Sequence, residues 1–188
     1  MRRDLMTSWT YDRRQGDWEG SMNVHDVLSK LAETLAANRE RIGEMSQYAG
    51  GWEGWLQCEL SLKWRPGEVE REVQLWNDRR ACDLWFPSTK FCVELKCFSL
   101  NRAFKSGASA MHLSDVSSTY AGWSADILKD AAKLKELPDG VSGVSIVIVP
   151  TWLPMEQLAL LKQQLQSVTY QWSERDGFFI AVKRKEWL

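Results

Sequence analysis

Residues 72–98, EVQLWNDRRACDLWFPSTKFCVELKCF, carry the pattern that decides the fold. They read as three strands in succession. The first passes through Val69, Glu72-Val73 and Leu75-Trp76 and closes at Asn77-Asp78, a turn pair. The second runs from Ala81 to Phe86 and closes at Pro87-Ser88, and the third runs from Phe91 to Phe98. Side chains alternate between the faces of a strand. Phe91, Val93, Leu95 and Cys97 therefore share one apolar face, while Cys92, Glu94 and Lys96 share the other.

A hairpin around Pro87 to Lys90 brings Asp83 toward Glu94. Two carboxylates held together in a partly buried place repel unless a cation joins them, and oxygen ligands of this kind suit Mg²⁺ or Mn²⁺. Asp83 and Glu94 are thus candidate metal ligands, with Lys96 beside them.

Asp83, ten intervening residues and then Glu94-Leu95-Lys96 on a strand resemble the PD-(D/E)XK nuclease superfamily, the restriction-endonuclease-like fold. The likeness spans roughly residues 50–150, and Cys82 stands where the family's name has proline. Upstream, GWEGWLQCELSLKW (residues 51–64) looks like the family's first core helix, which often supplies a further acidic residue, and Glu59 is the best match. Glu59 falls on the side of Trp52, Trp55 and Leu56, where an unpaired carboxylate is costly; Glu53 and Glu72 are fallbacks. Downstream, an amphipathic helix from about Ser118 to Leu137 matches the second core helix.

The resemblance implies a three-layer α/β domain, a central mixed β-sheet flanked by helices, and metal-assisted hydrolysis of a phosphodiester, with DNA ahead of RNA as substrate. Asp83 and Glu94 would hold Mg²⁺, with Mn²⁺ as a substitute, and Glu59 would complete the set. Lys96 would orient or deprotonate the attacking water, its pKa depressed by burial and the cation. For a nuclease, the small size and the lack of a separate recognition domain imply action as a dimer, as a toxin-like effector or within a larger complex.

Outward from this centre, residues 1–22 are charged and irregular and read as an N-terminal arm, with 23–188 as a single domain. Asn23 can cap a helix carrying Val24, Val27, Leu28, Leu31, Leu35, Ile42 and Met45 on one face. After the third strand, no acidic residue occurs between Lys96 and Ser114, and Arg102, Lys105 and His112 are candidate phosphate contacts on a long substrate-facing loop. The helix that follows buries Trp123, Ile127, Ala131 and Leu134, and its Asp130 and Lys133 read as a solvated face. Val141 to Pro150 is the most continuous apolar run, as in a central strand covered on both sides. A helix from about Pro154 and a hairpin around Glu174 to Gly177 close the chain.

The net charge of −1 argues against coating nucleic acid by bulk electrostatics, though not against a locally basic groove. The eleven tryptophans read as core and rim volume. Cys58, Cys82, Cys92 and Cys97 show no C-x-x-C pairing and read as buried thiols in a reducing cytosol. With no leader and no membrane-length apolar run, a cytoplasmic location is expected, with leaderless export left open. The alternatives are a non-catalytic binding or inhibitor protein on the same fold, and a different enzyme or an unrelated α/β interaction protein in which Glu94-Leu95-Lys96 is coincidence and Glu94 lies exposed on an edge strand.

Overall fold

The computed structural model describes residues 24–46, 52–98, 113–151, 155–167 and 170–185. The N-terminal arm and the loop bearing Arg102, Lys105 and His112 lie outside them. The elements are α1 (Val24–Ala37), α2 (Arg39–Met45), α3 (Glu53–Ser61), β1 (Glu70–Val73), β2 (Cys82–Phe86), β3 (Phe91–Cys97), α4 (Leu113–Lys135), β4 (Ser142–Pro150), α5 (Met155–Ser167), β5 (Gln171–Arg175) and β6 (Phe178–Arg184).

The strands form one mixed sheet in the order β1-β2-β3-β4-β6-β5. β3 and β4 are parallel and joined through α4, as parallel neighbours require a crossover. The other pairs are antiparallel. The β5–β6 hairpin turns on Asp176-Gly177, both at positive φ (52° and 85°), the backbone that a two-residue turn between right-twisted strands demands.

Helices cover both faces. On one side Val27, Leu31, Ile42, Trp52, Leu56 and Leu60 pack against Val93, Leu95, Ile146 and Ile180. On the other, Trp123, Ile127, Leu158 and Leu161 pack against Val147, Val149, Phe179 and Ala181. The result is the three-layer α/β arrangement expected. A small third cluster, Trp76, Cys82, Cys92, Leu134 and Leu137, closes the α4 side near β2 and β3. There the end of α4 and the turn after it lie so close to β4 that a Cβ on Gly143 would stand 3.2 Å from Leu134 Cδ2 and 2.5 Å from Leu137 Cδ1.

Three boundaries differ from expectation. The first helix divides into α1 and α2 at Asn38, whose side-chain amide donates to the Thr34 carbonyl (2.9 Å) and competes with the helical pattern. β1 ends at Val73, and Trp76 instead folds into the third cluster. α4 begins at Leu113, earlier than its apolar stripe indicates.

A row of buried polar residues crosses the sheet. Glu94, Ser145 and Lys183 are register partners on β3, β4 and β6, and the Ser145 hydroxyl hydrogen-bonds the Tyr170 hydroxyl at 2.8 Å. Among the described residues, no helix is long and apolar enough to cross a membrane.

Candidate active site

The β2–β3 register runs Phe86↔Phe91, Trp85↔Cys92, Leu84↔Val93 and stops. The next step brings Asp83 level with Glu94. Here the Leu95 N–H donates to the Asp83 carboxylate (2.6 Å), and the strands separate. Regular alternation breaks at the same place: Cys82 and Leu84, two residues apart, belong to different core clusters. On β1 the residue level with Asp83 is Glu72, also left out of the register and at φ 53°. A non-glycine residue with left-handed backbone is uncommon and marks strain beside the site.

Two helical layers converge on this strand end. From α3, Gln57 donates to the other Asp83 oxygen (2.9 Å) and is itself held by Arg71 (3.1 Å). Glu53 accepts the Cys97 N–H (2.8 Å) and stands 3.5 Å from the Lys96 ammonium. From α4, Asp130 approaches Lys96 at 3.3 Å, and Lys133 reaches Glu94 at 3.0 Å and Asp130 at 3.2 Å. Beside them an open depression of about 610 Å³ is lined by Arg80, Lys96, Asp126, Lys129, Asp130 and Lys133, among others.

The expected trio of Asp83, Glu94 and Lys96 therefore comes together. Glu59 does not join it. Glu53, Leu56, Gln57 and Leu60 recur at helical spacing toward the sheet, with Leu56, Gln57 and Leu60 buried, while Glu59 is six residues from Glu53 and points around the helix. Glu53, the fallback, takes the place assigned to it. Asp130 and Lys133 are likewise part of the constellation rather than a solvated face. Asp130 follows Ile127 by three residues and precedes Leu134 by four, a spacing that places it on the buried stripe.

The electrostatics are set by burial. Glu94 is 2% exposed, and burial together with the Asp83 charge pushes its carboxyl up to about 8; Lys133 offsets only part of this. Burial pushes Asp83 up to about 7 against the pull of the Leu95 N–H. For Lys96, burial alone would lower the pKa, but the Glu53 and Asp130 charges outweigh it and hold the ammonium above its ordinary value. Without a cation, the three carboxylates of Glu53, Asp130 and Asp83 thus keep the proton on Lys96. Lys133 is raised for the same reason by Glu94 and Asp130, despite its burial.

Four carboxylates (Glu53, Asp83, Glu94, Asp130) face two ammonium groups (Lys96, Lys133). Carboxylate oxygens are the ligand type that suits a hard divalent cation, and an ion held here would displace the protons that burial keeps on Asp83 and Glu94. Asp83 and Glu94 are the residues that would hold it. Of the tryptophans near this end, Trp52 and Trp76 are buried and Trp55, Trp64 and Trp85 are half-buried, consistent with core and rim packing. Compared with known proteins, the chain matches no family model, no curated protein and no solved structure.

Proposed function

We propose that this chain is a Mg²⁺-dependent nuclease of the PD-(D/E)XK type, hydrolysing phosphodiester bonds in DNA ahead of RNA. The observation that carries the reading is the pairing of Asp83 with a nearly inaccessible Glu94 at the point where β2 and β3 part, with Lys96 two residues further along. Glu94 lies on an interior strand, which disfavours the reading of Glu-Leu-Lys as a coincidence on an exposed edge.

When bound, Mg²⁺ supplies Lewis-acid polarisation of the phosphoryl oxygen. The protein residues do the rest. Asp83 is fixed by two hydrogen bonds and Glu94 by Lys133, so neither carboxylate needs to reorganise on substrate binding. Lys96, protonated and clamped between Glu53 and Asp130, orients the attacking water and neutralises charge developing on the phosphate. Arg80 and Lys129 line the adjoining depression and are cations of the type that contact backbone phosphates.

The test is cleavage of plasmid and of RNA by purified protein in Mg²⁺, Mn²⁺ or EDTA, beside Asp83→Ala. Cleavage that requires metal and is lost with Asp83 supports the proposal; folded protein that cleaves neither substrate under any condition overturns it. A second reading has one observation in its favour: each of the four carboxylates already has a partner within the protein, so the network can stand as a structural ion-pair cluster. It describes a non-catalytic binding or inhibitor protein, and it expects no affinity for Mg²⁺.

A further inference from the structure

Behind Glu94, away from Lys133, lie two thiols. Cys82 Sγ, Cys92 Sγ and a Glu94 oxygen all stand within 4.8 Å of one another, and all three residues are buried. Cys92 Sγ is 4.0 Å from Glu94 Oε1, whereas Lys133 takes the other oxygen, Oε2. Both cysteines are free. The clustering is not what regular strands would give. In a continued ladder Cys82 would fall level with Leu95, three residues from Cys92; the break at Asp83 turns it onto the Cys92 side.

We infer that Cys82, Cys92 and Glu94 form a site for a thiophilic divalent ion of the Zn²⁺ class, distinct in chemistry from the hard-cation site but sharing Glu94 with it. The ligand type selects the ion, since two thiolates and one carboxylate favour Zn²⁺ or Cd²⁺ over Mg²⁺. The spacing fits as well. Bonds of ~2.3 Å to sulfur and ~2.0–2.2 Å to oxygen set ligand atoms of one tetrahedral ion about 3.5–3.8 Å apart, a small contraction from the distances present. Charge also balances: binding releases both thiol protons and the proton that burial keeps on Glu94, and the ion, two thiolates, the Glu94 carboxylate and the adjacent Lys133 ammonium then sum to zero. A neutral cluster is what a buried, low-dielectric pocket tolerates. Without an ion, burial holds the Cys92 thiol well above the ordinary thiol range.

Because Glu94 is shared, a soft ion bound here withdraws a ligand from the hard-cation site; this clause alone rests on the proposed nuclease reading. It predicts that Zn²⁺ suppresses Mg²⁺-dependent cleavage in the wild type and not in Cys92→Ser.

The binding claim is tested without nucleic acid. Reduced protein is titrated with Cd²⁺ and followed by thiolate-to-metal charge-transfer absorption, beside Cys82→Ser, Cys92→Ser, Glu94→Gln and Cys58→Ser, the last removing the exposed thiol. The expected result is a saturable band at one ion per chain, unchanged by Cys58→Ser, abolished by either buried-cysteine variant and weakened at least ~10-fold by Glu94→Gln. No saturable band in folded wild type, or a band that follows Cys58 instead, overturns the inference. Should the buried variants not fold, X-ray absorption on Zn²⁺-loaded wild type decides: two sulfur ligands are expected, and an all-oxygen and nitrogen shell refutes the site. An inactive protein can still show the band, and an active one can lack it, so the two proposals fail separately.

Discussion

The carboxyl of Glu94 offers the sharpest quantitative test, because its proton is worth a measurable part of the stability of the metal-free protein. Burial and Asp83 place its pKa near 8 in the folded chain, against an ordinary value of 4.5 once unfolded. Between pH 7 and pH 5 the folded state therefore keeps a proton that the unfolded state has mostly lost. A state that binds more protons gains as pH falls, so acidification stabilises the folded chain through this group, by about 1.4 kcal/mol per pH unit or roughly 3 kcal/mol over the interval. Above pH 8 both states are ionised and the pH dependence from Glu94 disappears. Other carboxylates contribute slopes of their own, and the comparison with Glu94→Gln removes them. Urea unfolding of both proteins in EDTA at pH 5, 6 and 7 should show the wild type gaining on the variant by about 3 kcal/mol as pH drops. A gap that stays constant, or that moves in favour of the variant on acidification, would refute the argument. It would mean that Lys133 at 3.0 Å keeps Glu94 ionised as an ordinary salt bridge.

Four further outcomes are expected. Mg²⁺ should raise the melting temperature more at pH 8 than at pH 6, because protons on Asp83 (about 7) and Glu94 (about 8) compete with the ion at the lower pH; calorimetry at both values reads the difference. Glu53→Gln should lower any cleavage rate by ~10²-fold through loss of Lys96 positioning, while Glu59→Gln leaves it within about twofold; equal effects would contradict the assignment of Glu53. Gly143→Ala should destabilise by about 1–3 kcal/mol in chemical denaturation, since the new Cβ presses on Leu137 and Leu134 under α4. Trp52→Phe should cost at least about 1 kcal/mol by the same measure, for it strips the Phe98 carbonyl of its 2.8 Å indole hydrogen bond in a buried setting.

The sheet was legible where side-chain period and turn chemistry agreed. Val141 to Pro150 announced the central strand by its unbroken apolar run, and Glu174 to Gly177 announced the closing hairpin, whose turn the structure narrows to Asp176-Gly177. The pairing of Asp83 with Glu94 followed from a short connection between two strands. The helical contributions were harder, because a carboxylate's role there depends on a few tens of degrees around an axis. Glu59 and Glu53 differ by less than two turns of α3, and the Trp52, Trp55 and Leu56 positions pointed to Glu59, whereas it is Glu53 that contacts the Cys97 N–H and Lys96. Asp130 and Lys133 were passed over because charged residues at helical spacing usually face water. The spacing of Asp130 from Ile127 and Leu134 does report its burial, whereas the approach of Lys133 to Glu94 depends on β3 and has no local signal. The raised Lys96 pKa was equally hidden, since it requires Glu53 and Asp130 to arrive from two different helices.

The polar row Glu94, Ser145 and Lys183 has a consequence for how the chain finds its fold. β3 and β4 meet only after the long crossover through α4, a pairing of high sequence separation that forms slowly and offers neighbouring alignments of nearly equal backbone hydrogen bonding. A shift of one residue would set Glu94 against Val144 or Ile146 and turn Ser145 into the apolar layer beneath α3. The row thus works as a key for strand alignment: misaligned sheets bury a carboxylate and a hydroxyl among hydrocarbons and come apart before they are locked in. The residues that make the candidate site expensive to bury also make the correct sheet the one that survives.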